Sequence, residues 1–142
     1  MLVSTKGRYA LRVMIDLAEN QTVGYIPLKE IAERQDISEK YLESILKTLV
    51  RANVLAGQRG KGGGYRLTRD PSDYSVGSIL LLTEGSLAPV ACLDEPTPCA
   101  NHDKGATIKM WEDLHALIEE FFAGITIADL ASSSLPGDNY VI

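Results

Sequence analysis

The stretch from Pro27 to Leu67 sets two short amphipathic runs on either side of a break near Asp36. It then closes with a glycine-packed basic loop, Arg59-Gly60-Lys61-Gly62-Gly63-Gly64, flanked by alternating segments. Helix, tight turn, helix and hairpin in that order outline a winged helix-turn-helix. The expected architecture is mainly α with a small β-wing: a winged helix-turn-helix DNA-binding domain plus a long dimerisation helix.

Upstream, residues 5–19 place Tyr9, Val13 and Leu17 on one stripe with Ala10, Met14 and Ala18 beside it, the wide apolar face of a helix that packs on a core. A second helix is expected after Pro27, with Leu28, Ile31 and Ala32 at i, i+3, i+4. Asp36 tolerates a left-handed backbone better than most residues, and the Ser38 hydroxyl can cap the helix that follows. The turn is then about three residues long, as the motif requires.

A third helix over 39–52 buries Tyr41 or Leu42, Ile45, Leu46, Leu49 and Val50. Its other face carries Lys40, Glu43, Ser44, Lys47 and Arg51, which a helix in a major groove presents together. Lys40, Lys47 and Arg51 suit phosphate neutralisation. Glu43 can accept from a cytosine amino group, and Ser38, Ser44 and Tyr41 can reach phosphate or base edges. A carboxylate facing a polyanion costs affinity, so Glu43 points to specificity rather than attraction.

Residues 54–58 and 65–67 alternate as paired strands. The glycines of the loop between them permit close approach to a backbone, while Arg59 and Lys61 supply charge for a minor groove. A nucleotide cradle is the other reading of such a loop. Against it, no Ser or Thr follows Lys61, and the loop leads into a strand rather than a helix N-terminus. No nucleophile-base pair or complete metal-ligand spacing suggests an enzyme.

The net charge of −5 conceals two halves of opposite sign, +4 over residues 1–70 and −9 over residues 71–142. That asymmetry fits a basic module for a polyanion and an acidic remainder kept off it. A chain of 142 residues can bury one good core with an appended element. Lys6, Arg8, Arg12 and Asp16 interrupt the N-terminal segment, and the longest aliphatic run is residues 79–82, so neither secretion nor a membrane span is expected. Two cysteines suit a reducing cytoplasm.

The expected divisions are 1–84 for the DNA-binding domain, 85–105 for a cysteine-containing loop, 106–131 for the dimerisation helix region and 132–142 for a flexible tail. Residues 106–123 form a strongly periodic helix with two apolar stripes. One holds Ile108, Trp111, His115, Ile118 and Phe122; the other holds Met110, Leu114, Leu117 and Phe121. Two stripes need two partners, the home domain and the same helix of a second subunit. The stripe through Trp111 and His115 is assigned to the dimer interface.

The segments STKGRYALRVMIDLA, LKEIAERQDISEKYLESILKTLVRANVL and RGKGGGYRL closely resemble the Rrf2 family of bacterial winged-helix regulators, through the S-x-x-Y-L-E and R-G-x-x-G-G-Y blocks. The resemblance covers nearly the whole chain. It implies that Ser38, Tyr41 and Glu43 are recognition-helix contacts, that Arg59 enters the minor groove, and that a homodimer binds a palindromic operator on double-stranded DNA.

The family's branches include iron-sulfur regulators, a nitric-oxide sensor and a cysteine-metabolism repressor. In the cluster-binding branches the loop carries three cysteines. Here Cys92 and Cys99 stand in the first two places, Gly105 lies near the third, Ile108 stands where a histidine is expected, and Arg8 occupies a position that is acidic in some relatives. A cluster normally takes four ligands, so mixed ligation would need His102 or Asp103. The same pair of cysteines also reads as two free thiols or as a reversible redox pair. No resident cofactor is expected, with an iron-sulfur cluster as the alternative.

The final residues, Tyr140, Val141 and Ile142, end the chain on an apolar side chain carrying a free carboxylate, a form that a pocket can read. This ending looks like the peptide by which serine acetyltransferase docks into cysteine synthase, a partner that the cysteine-metabolism branch also uses. Together with the incomplete loop, it points to a repressor of cysteine or sulfur metabolism genes, the alternative being an iron-sulfur sensor with incomplete ligation.

Overall fold

The computed structural model describes residues 3–94 and 106–133. Its elements run α1 (Thr5–Glu19), α2 (Leu28–Gln35), α3 (Glu39–Arg51), β1 (Leu55–Gln58), β2 (Gly64–Leu67), α4 (Val76–Glu84), α5 (Ala106–Ala123) and α6 (Ile127–Ser133). Mainly helical with one antiparallel hairpin, the molecule has the expected winged helix-turn-helix architecture.

Helix α1 lies at the centre. Its Ser4 cap accepts from the Gly7 amide, and Ala10, Val13 and Met14 are fully buried against Ile31, Leu42, Ile45, Leu46 and Leu49 from α2 and α3. Each such aliphatic side chain withdrawn from water stabilises the fold by roughly 1.5–3 kcal/mol. Asp16 shares this buried face, its side chain 1% exposed. Its carboxylate accepts from Arg34 Nη2 at 2.8 Å, Arg34 Nε at 3.0 Å and Gln35 Nε2 at 2.8 Å. Those three bonds fasten the end of α2 to α1, and the Arg34 guanidinium is held above its ordinary pKa chiefly by the hydrogen bond to Asp16.

The turn after α2 follows the sequence closely. Asp36 adopts φ 53°, ψ 51°, and Ser38 caps α3 by accepting from the Tyr41 amide. Pro27 is the cap of α2 rather than its first helical residue. At the far end, Asn53 takes φ 61° and turns the chain out of α3, so Val54 is buried beneath the hairpin rather than paired within it. The strands pair Leu55 with Leu67 and Gln58 with Gly64, one residue along from the expected limits. A third segment joins the hairpin, since Ile26 and Tyr65 exchange both backbone hydrogen bonds, at 2.9 and 2.8 Å.

Tyr74 ties the root of the wing to the core. Fully buried, its hydroxyl accepts from the Thr68 and Arg69 amides at 3.0 Å each and donates to the Val54 carbonyl at 2.8 Å. The Tyr74 carbonyl in turn accepts from Ile127, and the Val76 amide donates to Ile125. By this route α6, unforeseen from the sequence, returns to the main core, where Ile127 is fully buried. Within residues 106–131, α5 packs along α4, whereas α6 packs on α1 and joins the main core.

Among the described residues, no helix is long and apolar enough to cross a membrane.

Replacing Asp16 with Ala leaves the Arg34 and Gln35 donors without their acceptor at the α1–α2 junction. The expected loss is about 2–4 kcal/mol in urea unfolding, far above the effect of an exposed Asp→Ala change.

Candidate nucleic-acid interface

The outer face of α3 presents Ser38, Lys40, Glu43, Ser44, Lys47 and Arg51 to solvent, with Tyr41 half-buried at its edge. Leu42, not Tyr41, occupies the core position. That choice frees the Tyr41 ring to pack on Tyr9 of α1, centroids 5.8 Å apart and planes tilted by 60°. Arg12 lies over the other partner, 4.9 Å from the Tyr9 centroid, and donates to the Gln35 side chain at 3.1 Å and to the Gln35 carbonyl. Arg12, Gln35 and Asp16 thus link the buried α1–α2 clamp to the aromatic pair that supports Tyr41.

Two hydroxyls on this face already have backbone partners. Ser38 Oγ accepts from Tyr41 N at 3.2 Å, which leaves its hydrogen to donate outward; Ser44 Oγ donates to the Tyr41 carbonyl at 2.7 Å. Thr48 and Lys6 extend the face. Lys6 Nζ donates to Thr48 Oγ1 at 3.1 Å, bringing a cation of α1 beside the recognition surface. The apolar-stripe reading of α1 passed over it, because its relevance depends on the crossing of two helices.

Between α3 and the wing runs a cleft of about 530 Å³ lined by Glu43, Lys47, Arg51, Gln58, Arg59 and Tyr65. Here the structure brings the helix and wing candidates together: three cations and one carboxylate facing one concavity. Burial pushes the Tyr65 phenol above its usual pKa, the Glu43 carboxylate adds to this, and Arg59 opposes it. Tyr65 therefore stays a neutral donor in a cleft whose charge balance favours an anion. Lys40 and Ser38 stand at the start of α3, away from this cleft, and Lys61 is exposed on the wing loop.

Gly64, at φ 143°, fixes the wing's position. A Cβ there would lie 2.1 Å from the Ile26 carbonyl oxygen, and one on Gly63 would lie 2.2 Å from that of Gln58. Both contacts are with backbone, which cannot swing aside.

The two apolar stripes of α5 differ in exposure. Ile108, Trp111, His115, Ile118 and Phe122, expected at a subunit interface, are half-buried within the single chain, and Ile118 and Phe122 pack on Val76, Leu80 and Leu87. His115 Nε2 lies 3.1 Å from Glu119 Oε1 on the same helix. The unpartnered stripe is the other one: Met110, Leu114, Leu117 and Phe121 are 51%, 38%, 62% and 64% exposed. Gly77, on α4, sits against Phe122, which accounts for which side turned inward.

Cys92 is buried and disulfide-bonded. Cys99, His102 and Asp103 lie outside the described residues, as do Tyr140, Val141 and Ile142. Among the described residues, no three His, Cys, Asp or Glu side chains gather to hold a metal. The sequence has only two cysteines and two histidines, with His115 on α5 paired to Glu119. A four-ligand iron-sulfur cluster would need ligands beyond these two cysteines.

A family profile described as "Rrf2: Iron-dependent Transcriptional regulator" matches residues 3–133. The chain is 38% identical over 133 residues to the HTH-type transcriptional regulator IscR of Sodalis glossinidius, spanning 94% of this chain and 80% of that one. Among solved structures it is similar to CymR, the global cysteine regulator of B. subtilis (TM-score 0.81, 33% identity, 95% of this chain and 99% of that one). It is also similar to T. potens IscR (TM-score 0.77, 35% identity, 100% and 94%).

Gly64→Ala should displace the wing and lower DNA affinity in fluorescence anisotropy while α3 remains folded by circular dichroism. Arg59→Ala, which leaves the backbone intact, should cost about 1–3 kcal/mol of operator binding and flatten its dependence on salt. Unchanged binding in both variants at low salt would dissociate the wing from DNA contact.

Proposed function

Because the chain belongs to the Rrf2 family of transcriptional regulators, we propose that it acts as a homodimeric repressor of cysteine and sulfur metabolism genes. The chain is a DNA-binding regulator and not an enzyme. The observation that carries the DNA-binding reading is the cleft in which Lys47 and Arg51 of the recognition helix meet Arg59 of the wing around Glu43. Cations at these positions neutralise phosphate, and the single carboxylate penalises any base pair that offers it no donor.

The dimer reading rests on the exposed stripe of Met110, Leu114, Leu117 and Phe121. Large apolar side chains in a row on one helix are stabilised by burial against their own copy, and a two-fold axis makes such a stripe self-complementary. Two recognition helices would then enter successive major grooves about 34 Å apart on a palindromic operator.

Two features favour the cysteine-metabolism branch over an iron-sulfur sensor: the shortage of cluster ligands and the TM-score to the B. subtilis cysteine regulator, 0.81 against 0.77 for T. potens IscR. In this reading cysteine synthase engages the tail and sets operator affinity. In the same reading a reversible redox pair of Cys92 and Cys99 adds an input: a dithiol reductant delivers two electrons and two protons, breaks the S–S bond and yields two thiols.

Glu substitutions at Leu117 and Phe121 together should give a monomer by sedimentation, with operator affinity lower by about 100-fold or more as the second half-site is lost. A variant that stays dimeric would move the interface elsewhere. Titrating cysteine synthase with full-length protein and with a chain lacking Ile142 tests the partner separately, and equal affinities would remove the tail from recognition.

A further inference from the structure

We propose that a second cavity, behind the wing, binds a small organic anion. This cavity measures about 450 Å³, within the usual range for small-molecule sites. Buried Leu17 and Ile26 and half-buried Leu67 give it an apolar base, and Arg66, Arg69 and Gln21 supply its polar edge. Among the described residues, no acidic side chain lines it.

The two guanidiniums are the informative part. Arg66 lies over the Tyr25 ring at 4.7 Å, and Arg69 lies over the Tyr74 ring at 5.2 Å. Stacking on an aromatic face restricts a long side chain while leaving its N–H edges free, the form suited to bidentate capture of a carboxylate or phosphate. Neither guanidinium meets a carboxylate among the described residues. Asp70, the nearest acid in sequence, directs its carboxylate to the Ser72 amide and hydroxyl, at 2.9 and 2.7 Å. In a chain of net charge −5, two positioned cations on one concavity have no acidic counter-charge among the described residues.

The site is distinct from the DNA-facing cleft. Alternation along β2 sends Arg66 to the face opposite Tyr65, and Tyr65 lines the cleft beside α3. The ligand class follows from the lining: a carboxylate or phosphate monoester for the arginines, carrying a compact apolar group for Leu17, Ile26 and Leu67. Such an occupant would bridge the end of α1 to β2, beside the Ile26–Tyr65 bridge that ties the α1–α2 connection to β2.

The test is an NMR titration of the full-length protein with phenyl phosphate. Saturable shifts are expected at the Arg66 and Arg69 Nε–Hε signals and at the Leu17, Ile26 and Leu67 methyls, with inorganic phosphate binding more weakly. Arg66→Gln should weaken binding by about tenfold or more, and Arg66→Lys, which keeps the charge but not the planar fork, should also weaken it. Absence of saturation, or shifts centred on Lys47, Arg51 and Arg59, would overturn the proposal. An Arg66→Gln, Arg69→Gln double variant should keep operator affinity and its salt slope. A drop in that slope would instead assign both arginines to DNA phosphates and also defeat the proposal.

Discussion

A buried carboxylate at the crossing of α1 and α2 sets the geometry on which the DNA-binding surface depends. Asp16 is almost wholly enclosed, and a charge withdrawn from water is tolerable only where donors replace the lost solvent. Arg34 and Gln35 supply them, and both sit in the last turn of α2, immediately before the reversal at Asp36. The clamp therefore fixes where the helix-turn-helix bends. Through Arg12 and Tyr9 the same network reaches Tyr41, so the aim of the recognition helix is referred back to an ion pair inside the protein.

The local chemistry of the motif was legible in the residues. Asp36 as the left-handed hinge, Ser38 as the cap and glycines in the wing each follow from what one or two residues permit, and the backbone adopts those conformations. Features that depend on a distant partner were less legible. Asp16 interrupts an apolar face in one dimension, and only the arrival of Arg34 makes it a core residue. Tyr74 reads as one more aromatic until its hydroxyl is seen to gather two amides and a carbonyl.

The two stripes of α5 show the same limit differently. Periodicity reveals that two faces are apolar but not which neighbour each one meets. Gly77 opens room for Phe122 on α4, so the stripe containing Ile118 and Phe122 turned inward and the stripe containing Leu117 and Phe121 turned out. Short α6 escaped notice for a related reason: a seven-residue helix carries too little repeat to announce itself, and its anchor, Ile127, is a single side chain.

The return of α6 changes what counts as the DNA-binding unit. Ile127 fills the centre of a core built mostly from the first eighty residues, while backbone bonds from Tyr74 and Val76 reach forward to Ile127 and Ile125. Helix α5, packed along α4, therefore falls in the chain between two parts of one core rather than at its end. A chain stopped at Glu84 would keep every candidate contact residue of α3 and the wing and still lack the plug that closes its interior. The unit that reads DNA and the helix proposed to pair subunits cannot be separated by a single cut.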